Sequence, residues 1–145
     1  MAEAREISDR YTDAINAHDA DAIGALYADD GVFTEPAGEF RGREAIVQYW
    51  ERFFTALPDL NGRDEFTAES GDTAINEWSF SGTNSGPIET PEGTIPATGK
   101  RVTVRGCDAL TVREGRIRSH RAYYDQLTFI TQLGLVPEGA TATAS

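Results

Sequence analysis

The chain has 145 residues, 39% of them apolar and 26% charged, with a formal net charge of −11 and one cysteine, Cys107. That length suits a single domain with a core that needs no crosslinks, and a lone cysteine forms no internal disulfide. The acidity excludes a nucleic-acid footprint and disfavours anionic membrane surfaces, while no apolar run reaches the ~20 residues of a membrane span.

The N-terminus, MAEAREISDRY, has neither the basic nor the apolar region of a secretory signal. The expectation is a cytoplasmic protein whose ligand is neutral and largely apolar. Ile7, Tyr11, Ala14 and Ile15 recur at helical spacing and predict a first helix from about Glu3 to Ala17. Asp19 reads as the N-cap of a shorter helix that buries Ile23, Leu26 and Tyr27. Asp29, Asp30 and Gly31 break it, and a short strand follows over Val32 to Thr34. Pro36 holds Glu35 extended. A third helix spans about Arg43 to Ala56, with Ile46, Tyr49, Trp50 and Phe53 as its apolar stripe, and Pro58 ends it.

The second half is strand-rich. A strand over Ala74 to Thr83 alternates through Trp78 and Phe80. Another over Arg101 to Arg113 places Val102, Val104, Gly106, Asp108, Leu110 and Val112 on one face. Glu114-Gly115 is a hairpin turn, and Arg116 to Asp125 is the returning strand. A last helix runs from Gln126 to Leu133, stopped by Gly134. Asn84 to Lys100, rich in Gly, Pro and Thr, reads as a long loop of the kind that often serves as a lid. Residues 137–145 read as a disordered tail behind a single domain of residues 1–136. Helices set against an antiparallel meander give an α+β fold, a curved sheet wrapped into a cone with an interior.

Asp108 is the misfit of this pattern. It is a carboxyl group on an otherwise apolar strand face, where desolvation favours the neutral acid, a hydrogen-bond donor. The other reading is a twist at Gly106 that turns Asp108 to solvent. Tyr11 alone reads as a core tyrosine, Glu35 as a turn residue and His120 as a structural strand histidine. His18, His120 and Cys107 lack ligand spacing, and no glycine-rich phosphate loop is present. Neither metal nor cofactor is expected.

The segment RYTDAINAHDADAIGALYADDGVFTEPAGEFRGREAIVQYW resembles the first half of bacterial ketosteroid isomerases, which have the nuclear transport factor 2-like fold. The resemblance places Tyr11 and Glu35 at the family's helix-one tyrosine and pre-proline carboxylate, the latter usually aspartate. Asp108, shortly before the hairpin, falls at the family's strand aspartic acid. The PATGK loop (Pro96 to Lys100), HRAYYD (His120 to Asp125) and QLGL (Gln132 to Leu135) resemble SnoaL-like polyketide cyclases. There an aspartate directly following the His-Arg pair is the general acid/base; here that position is Ala122.

The resemblance implies a cofactor-free isomerase or cyclase that transfers a proton next to a carbonyl. Glu35 is then the general base, and Tyr11 and a protonated Asp108 are donors to the enolate oxygen. Phe33, Trp50, Phe54, Asn76, Trp78, Phe80, His120 and Tyr124 are the expected pocket. Two other readings stay open. One is a non-catalytic binding module on the same fold. The other is a hydratase or epoxide-opening enzyme whose water is held by Asp108, His120 and Asn76. The outer sheet face (Arg101, Thr103, Arg105, Cys107, Ala109 and Thr111) is the expected contact of a homodimer.

Overall fold

The computed structural model describes residues 3–136, so the predicted tail at 137–145 lies outside the described residues. Helix α1 spans Glu3–Asn16 and buries Ala4, Ile7, Tyr11 and Ala14 at alternating spacings of three and four, the stripe that lays one helix face on a core. It closes with His18 in the left-handed region at φ 54°. There His18 N–H donates to the Ile15 carbonyl and Asp19 N–H to the Ala14 carbonyl, the bond pattern that satisfies a helix C-terminus. Asp19 then caps α2 (Ala20–Ala25) by accepting from Ala22 N–H at 3.0 Å.

Strand β1 (Tyr27–Glu35) starts earlier than predicted. Tyr27, expected on the second helix, is its fully buried first residue. Asp29-Asp30-Gly31 is not a break between elements. It is an irregularity inside the strand, between Tyr27 and Val32, in its parallel pairing with β8 (Arg116–Tyr124). β2 (Gly38–Arg41) folds back on β1. Helix α3 (Arg43–Ala56) lies over β1 and β2.

β3 (Asn61–Ser70) was not visible as a strand in the sequence. It is an edge strand of mixed exposure, so its residues carry no clean alternation, and its charges suit an unpaired edge. β3 pairs with β4 (Thr73–Thr83), β4 with β7 (Arg101–Arg113) and β7 with β8, all antiparallel. The six-stranded order is β2-β1-β8-β7-β4-β3. The sheet is therefore antiparallel except at the β1–β8 seam, and its concave face holds α1 and α3. Val102, Val104, Leu110 and Val112 are buried as the alternation predicts. The opposite face carries Arg101, Thr103 and Arg105 exposed and Ala109 buried, with exposed Phe66, Ile75 and Tyr123 on the neighbouring strands.

The stretch from Asn84 to Lys100 contains a hairpin, β5 (Ile88–Thr90) with β6 (Gly93–Ile95). It does not line the central cavity. Asn84, with no exposure, pins its base. Asn84 Nδ2 donates to the Ala56 and Gly86 carbonyls at 2.9 Å each, and Oδ1 accepts from Thr98 N–H and Oγ1. Asn84→Ala strands those groups without water, so stability should fall by about 3 kcal/mol, read as a lower urea midpoint at constant m-value.

Helix α4 (Gln126–Gln132) follows the last strand, capped by Asp125. Gln132 bonds both backbone groups of Thr103, at 2.6 and 2.9 Å, in the manner of a sheet partner. That anchor sets Phe129 against Phe53, Phe80 and Tyr124, closing one end of the cone.

Candidate active site

Between the sheet and the two long helices lies a cavity walled mainly by aromatic rings. α1 supplies Tyr11, α3 supplies Tyr49, Trp50 and Phe53, and β1 supplies Phe33. From the sheet come Asn76, Trp78, Phe80, Asp108, His120 and Tyr124. Trp78 lies directly on β7 because residue 106 is glycine: a Cβ there would sit 2.6 Å from the indole ring.

Phe54 is the one expected wall residue that the structure places elsewhere. Four residues advance a helix by 400°, so Phe54 sits about 40° around α3 from Trp50. It stacks on His18 at 4.7 Å and lines a separate surface groove.

Asp108 faces the cavity and not the solvent; its side chain is 13% exposed. Oδ2 is held by His120 Nε2 at 2.8 Å. Oδ1 is buried and has no partner among the described residues. His120 Nδ1 lies 2.8 Å from the Tyr27 hydroxyl, which lies 2.8 Å from the Tyr11 hydroxyl. Trp50 Nε1 donates to Tyr11 Oη at 3.0 Å.

The order of these bonds restricts where protons sit. An indole N–H only donates. If each group passes its proton onward, Trp50 donates to Tyr11, Tyr11 to Tyr27, Tyr27 to His120 Nδ1, and His120 Nε2–H to an ionised Asp108. Every donor then has an acceptor, and the one unused acceptor is Asp108 Oδ1.

Glu35 is 6% exposed but stands behind the cavity wall. Tyr49 donates to its Oε1 at 2.9 Å and Tyr124 at 3.4 Å, and Ala37 N–H donates to Oε2. Of the three predicted catalytic groups, Tyr11 and Asp108 thus reach the cavity directly. Glu35 reaches it only through two tyrosine hydroxyls. Asn76 is on the wall, but Nδ2 donates to Asp64 Oδ1 at 2.8 Å and Oδ1 accepts from Thr67 at 2.7 Å. Both ends of its amide are thus engaged by Asp64 and Thr67. Among the described residues, no group of three or more His, Cys, Asp or Glu is placed to hold a metal.

Tyr27, Tyr49 and Asp64 were missed by sequence reasoning. Tyr27 carried one signal: a fully buried position that needs only a ring is filled by tyrosine, whose hydroxyl then requires a partner.

Burial pushes the hydroxyls of Tyr11, Tyr27, Tyr49 and Tyr124 above the ordinary phenol range, and the negative charge of Glu35 adds to the shift at Tyr124 and, after its interaction with Tyr124, at Tyr49. All four remain neutral donors. Each folded value lies above the unfolded one, so the stability they confer is full below pH ~10 and falls as pH rises toward the folded values. In an absorbance titration at alkaline pH, these four of the five tyrosines should ionise only together with unfolding, in one cooperative step that coincides with loss of circular dichroism.

The same fold recurs in known proteins. The sequence profile of the SnoaL-like domain matches residues 8–120. No curated protein matches the chain significantly. Among solved structures, TsrD from Streptomyces laurentii is 26% identical, with a TM-score of 0.79 over 94% of this chain and 98% of that one. IdmH from Streptomyces antibioticus, a candidate polyketide cyclase, is also 26% identical, with a TM-score of 0.73 over 90% of this chain and 98% of its own. A candidate SnoaL-like polyketide cyclase from Jannaschia sp. CCS1 shares the fold at 19% identity, with a TM-score of 0.81 over 94% of each chain. The α+β cone, the profile match over most of the length and these neighbours agree: the chain belongs to the SnoaL-like domain family, within the nuclear transport factor 2-like superfamily.

Proposed function

We propose that the protein is a proton-transfer enzyme of the isomerase or cyclase type, acting next to a carbonyl of a small apolar substrate, with Asp108 as its base. The observation that supports this reading is Asp108 Oδ1, a buried carboxylate oxygen on the cavity wall with no partner among the described residues. Leaving such an atom unpaired costs about 1–3 kcal/mol or more, so its presence is explained by a ligand that pairs with it.

Register accounts for how the site persists without the aspartate that the cyclase resemblance puts at position 122. Asp108 and Ala122 are directly opposed across β7 and β8. Side chains so opposed have Cβ atoms about 5 Å apart. The neighbouring strand thus returns a carboxylate to the same patch of wall, and the small Ala122 leaves it room.

In this mechanism Oδ1 takes a proton from the carbon beside the carbonyl and the electron pair moves to the carbonyl oxygen. His120 holds Oδ2 through Nε2–H and fixes the direction of the free oxygen. Tyr124, kept protonated by burial and only loosely bound to Glu35 at 3.4 Å, is the available donor to the enolate oxygen. The proton then returns to another carbon, or the enolate carbon attacks an electrophile within the same molecule. Glu35 orients Tyr49 and Tyr124 and does not act as the base.

The test is deuterium exchange at the α-position of bicyclic ketones and β-keto esters, followed by NMR. The parent protein should catalyse exchange. Glu35→Gln, which keeps an acceptor oxygen for the tyrosines, should retain activity within about threefold. A loss of ~10²-fold or more in Glu35→Gln would instead make Glu35 the base, and a parent protein without exchange would favour a binding module.

A further inference from the structure

We infer that the same cavity contains a recognition subsite, built on Asp64, for a hydrogen-bond donor carried by the substrate: a hydroxyl or a protonated amine at the end remote from the reacting carbon. The inference rests on the reading above for calling the ligand a substrate, but not for the subsite itself.

Asp64 is half-buried on β3 and lines the cavity. Its Oδ1 accepts twice, from Thr12 Oγ1 at 2.9 Å and from Asn76 Nδ2 at 2.8 Å. Those donors come from α1 and β4, so the carboxylate is held from both sides. Asn76 is itself fixed from behind by Thr67. Oδ2 has no hydrogen-bond partner and no cation within ion-pair distance among the described residues. The β3 ladder is irregular between Asp64 and Phe66. Such a bulge re-aims side chains beside sites; here Asp64 stays on the cavity side while Phe66 is turned out, 57% exposed.

The two carboxylates address different parts of one ligand. Asp108 lies on β7 opposite Asn76 on β4, and Asp64 lies on β3 opposite Trp78. Two strand spacings and two residues along the strand separate their Cα atoms by about 12 Å. Between them stands Asn76, opposite Asp108 and donating to Asp64, and Trp78 and Phe80 continue the wall along the same strand. Two carboxylate oxygens of this wall, Asp108 Oδ1 and Asp64 Oδ2, have no hydrogen-bond partner among the described residues, and both are acceptors. A ligand that pairs with them must bring donors. An anionic group would face two carboxylates inside a protein of net charge −11, and Arg63, which also lines the cavity, is solvent-exposed and offsets little of that repulsion.

Binding separates this inference from the reaction. In the Asp108→Asn background, where turnover is removed by design, a set of 1-tetralones with one ring substituent can be titrated by calorimetry. Hydroxymethyl, aminomethyl or both should tighten binding about tenfold over the unsubstituted ketone. The carboxyl analogue should bind at least tenfold more weakly. A gain for the amine alone identifies a cation subsite, and a gain for the alcohol identifies a neutral donor subsite; each supports the inference. Asp64→Asn keeps an oxygen for Thr12 and Asn76, and should erase the gain and restore tolerance of the carboxylate. A carboxyl analogue that binds as well as the unsubstituted ketone, or an affinity order unchanged in Asp64→Asn, overturns it. If that order holds while no variant affects exchange, the subsite stands and the proton-transfer reading falls.

Discussion

Asp108→Asn and Asp108→Ala should lower α-proton exchange by the same large factor, about 10³-fold or more for loss of a positioned base whose role no neighbour can take. The equality carries the argument. Asparagine preserves size, accepts from His120 Nε2–H and offers the cavity an amide donor. A site that needed a donor at position 108 would therefore tolerate it, and only alanine would be severe, by ~10²-fold for one lost oxyanion partner. A site that needs a lone pair on Oδ1 loses it in both variants. Thermal unfolding of each variant, compared with the parent, separates chemistry from folding. A mild Asp108→Asn would make the group a neutral donor, as its apolar strand face first suggests, and would return the base to Glu35.

Much of the frame was legible because its signals are local. The alternation from Val102 to Val112 and the stripe from Ile46 to Phe53 each follow from one period, and both elements form where predicted. β3 has no such period because only part of it faces the core. The irregular start of β1, near the other edge of the sheet, was read as a helix end because acidic residues and glycine serve equally as breaker and bulge.

The site was legible by type and not by connection. Asp108 stood out because a carboxyl broke an apolar face. Its partner could not be read, since His120 is joined to it only by the hairpin register and to Tyr27 only by the parallel β1–β8 seam, across 93 positions. Glu35 presents the reverse case. Its proline context by itself suggested a turn and the family resemblance made it the base, yet its burial behind Tyr49 and Tyr124 follows from how α3 and β8 close over β1, which no local pattern encodes. Phe54 lies about 40° around α3 from Trp50 and about 100° from Phe53, outside the stripe of Ile46, Tyr49, Trp50 and Phe53, which is why it stacks on His18 instead of lining the cavity.

Tyr27→Phe should reduce exchange by about 10–100-fold, the range for removing a group that orients a metal-binding histidine taken as a guide, although Tyr27 does not line the cavity. Its hydroxyl is the partner of His120 Nδ1 and of Tyr11. With Tyr27 donating, Nδ1 must accept, and the imidazole proton is confined to Nε2, where it holds Asp108 Oδ2. Phenylalanine keeps the packing of the ring but removes that constraint. The proton can then move to Nδ1, which turns a lone pair of Nε2 toward the carboxylate and lets Asp108 rotate. The Tyr11 hydroxyl also loses its acceptor. A residue that merely packed would change stability alone. A positioning residue should in addition alter the pH dependence of exchange and the histidine 15N shifts, from an Nε2–H pattern to a mixture of tautomers. His120→Ala should then be no worse when combined with Tyr27→Phe than by itself, because the tyrosine acts only through the histidine. Additive losses in the double variant, or a Tyr27→Phe protein with parental exchange and an unchanged tautomer, would remove Tyr27 from the mechanism and leave it as a core residue.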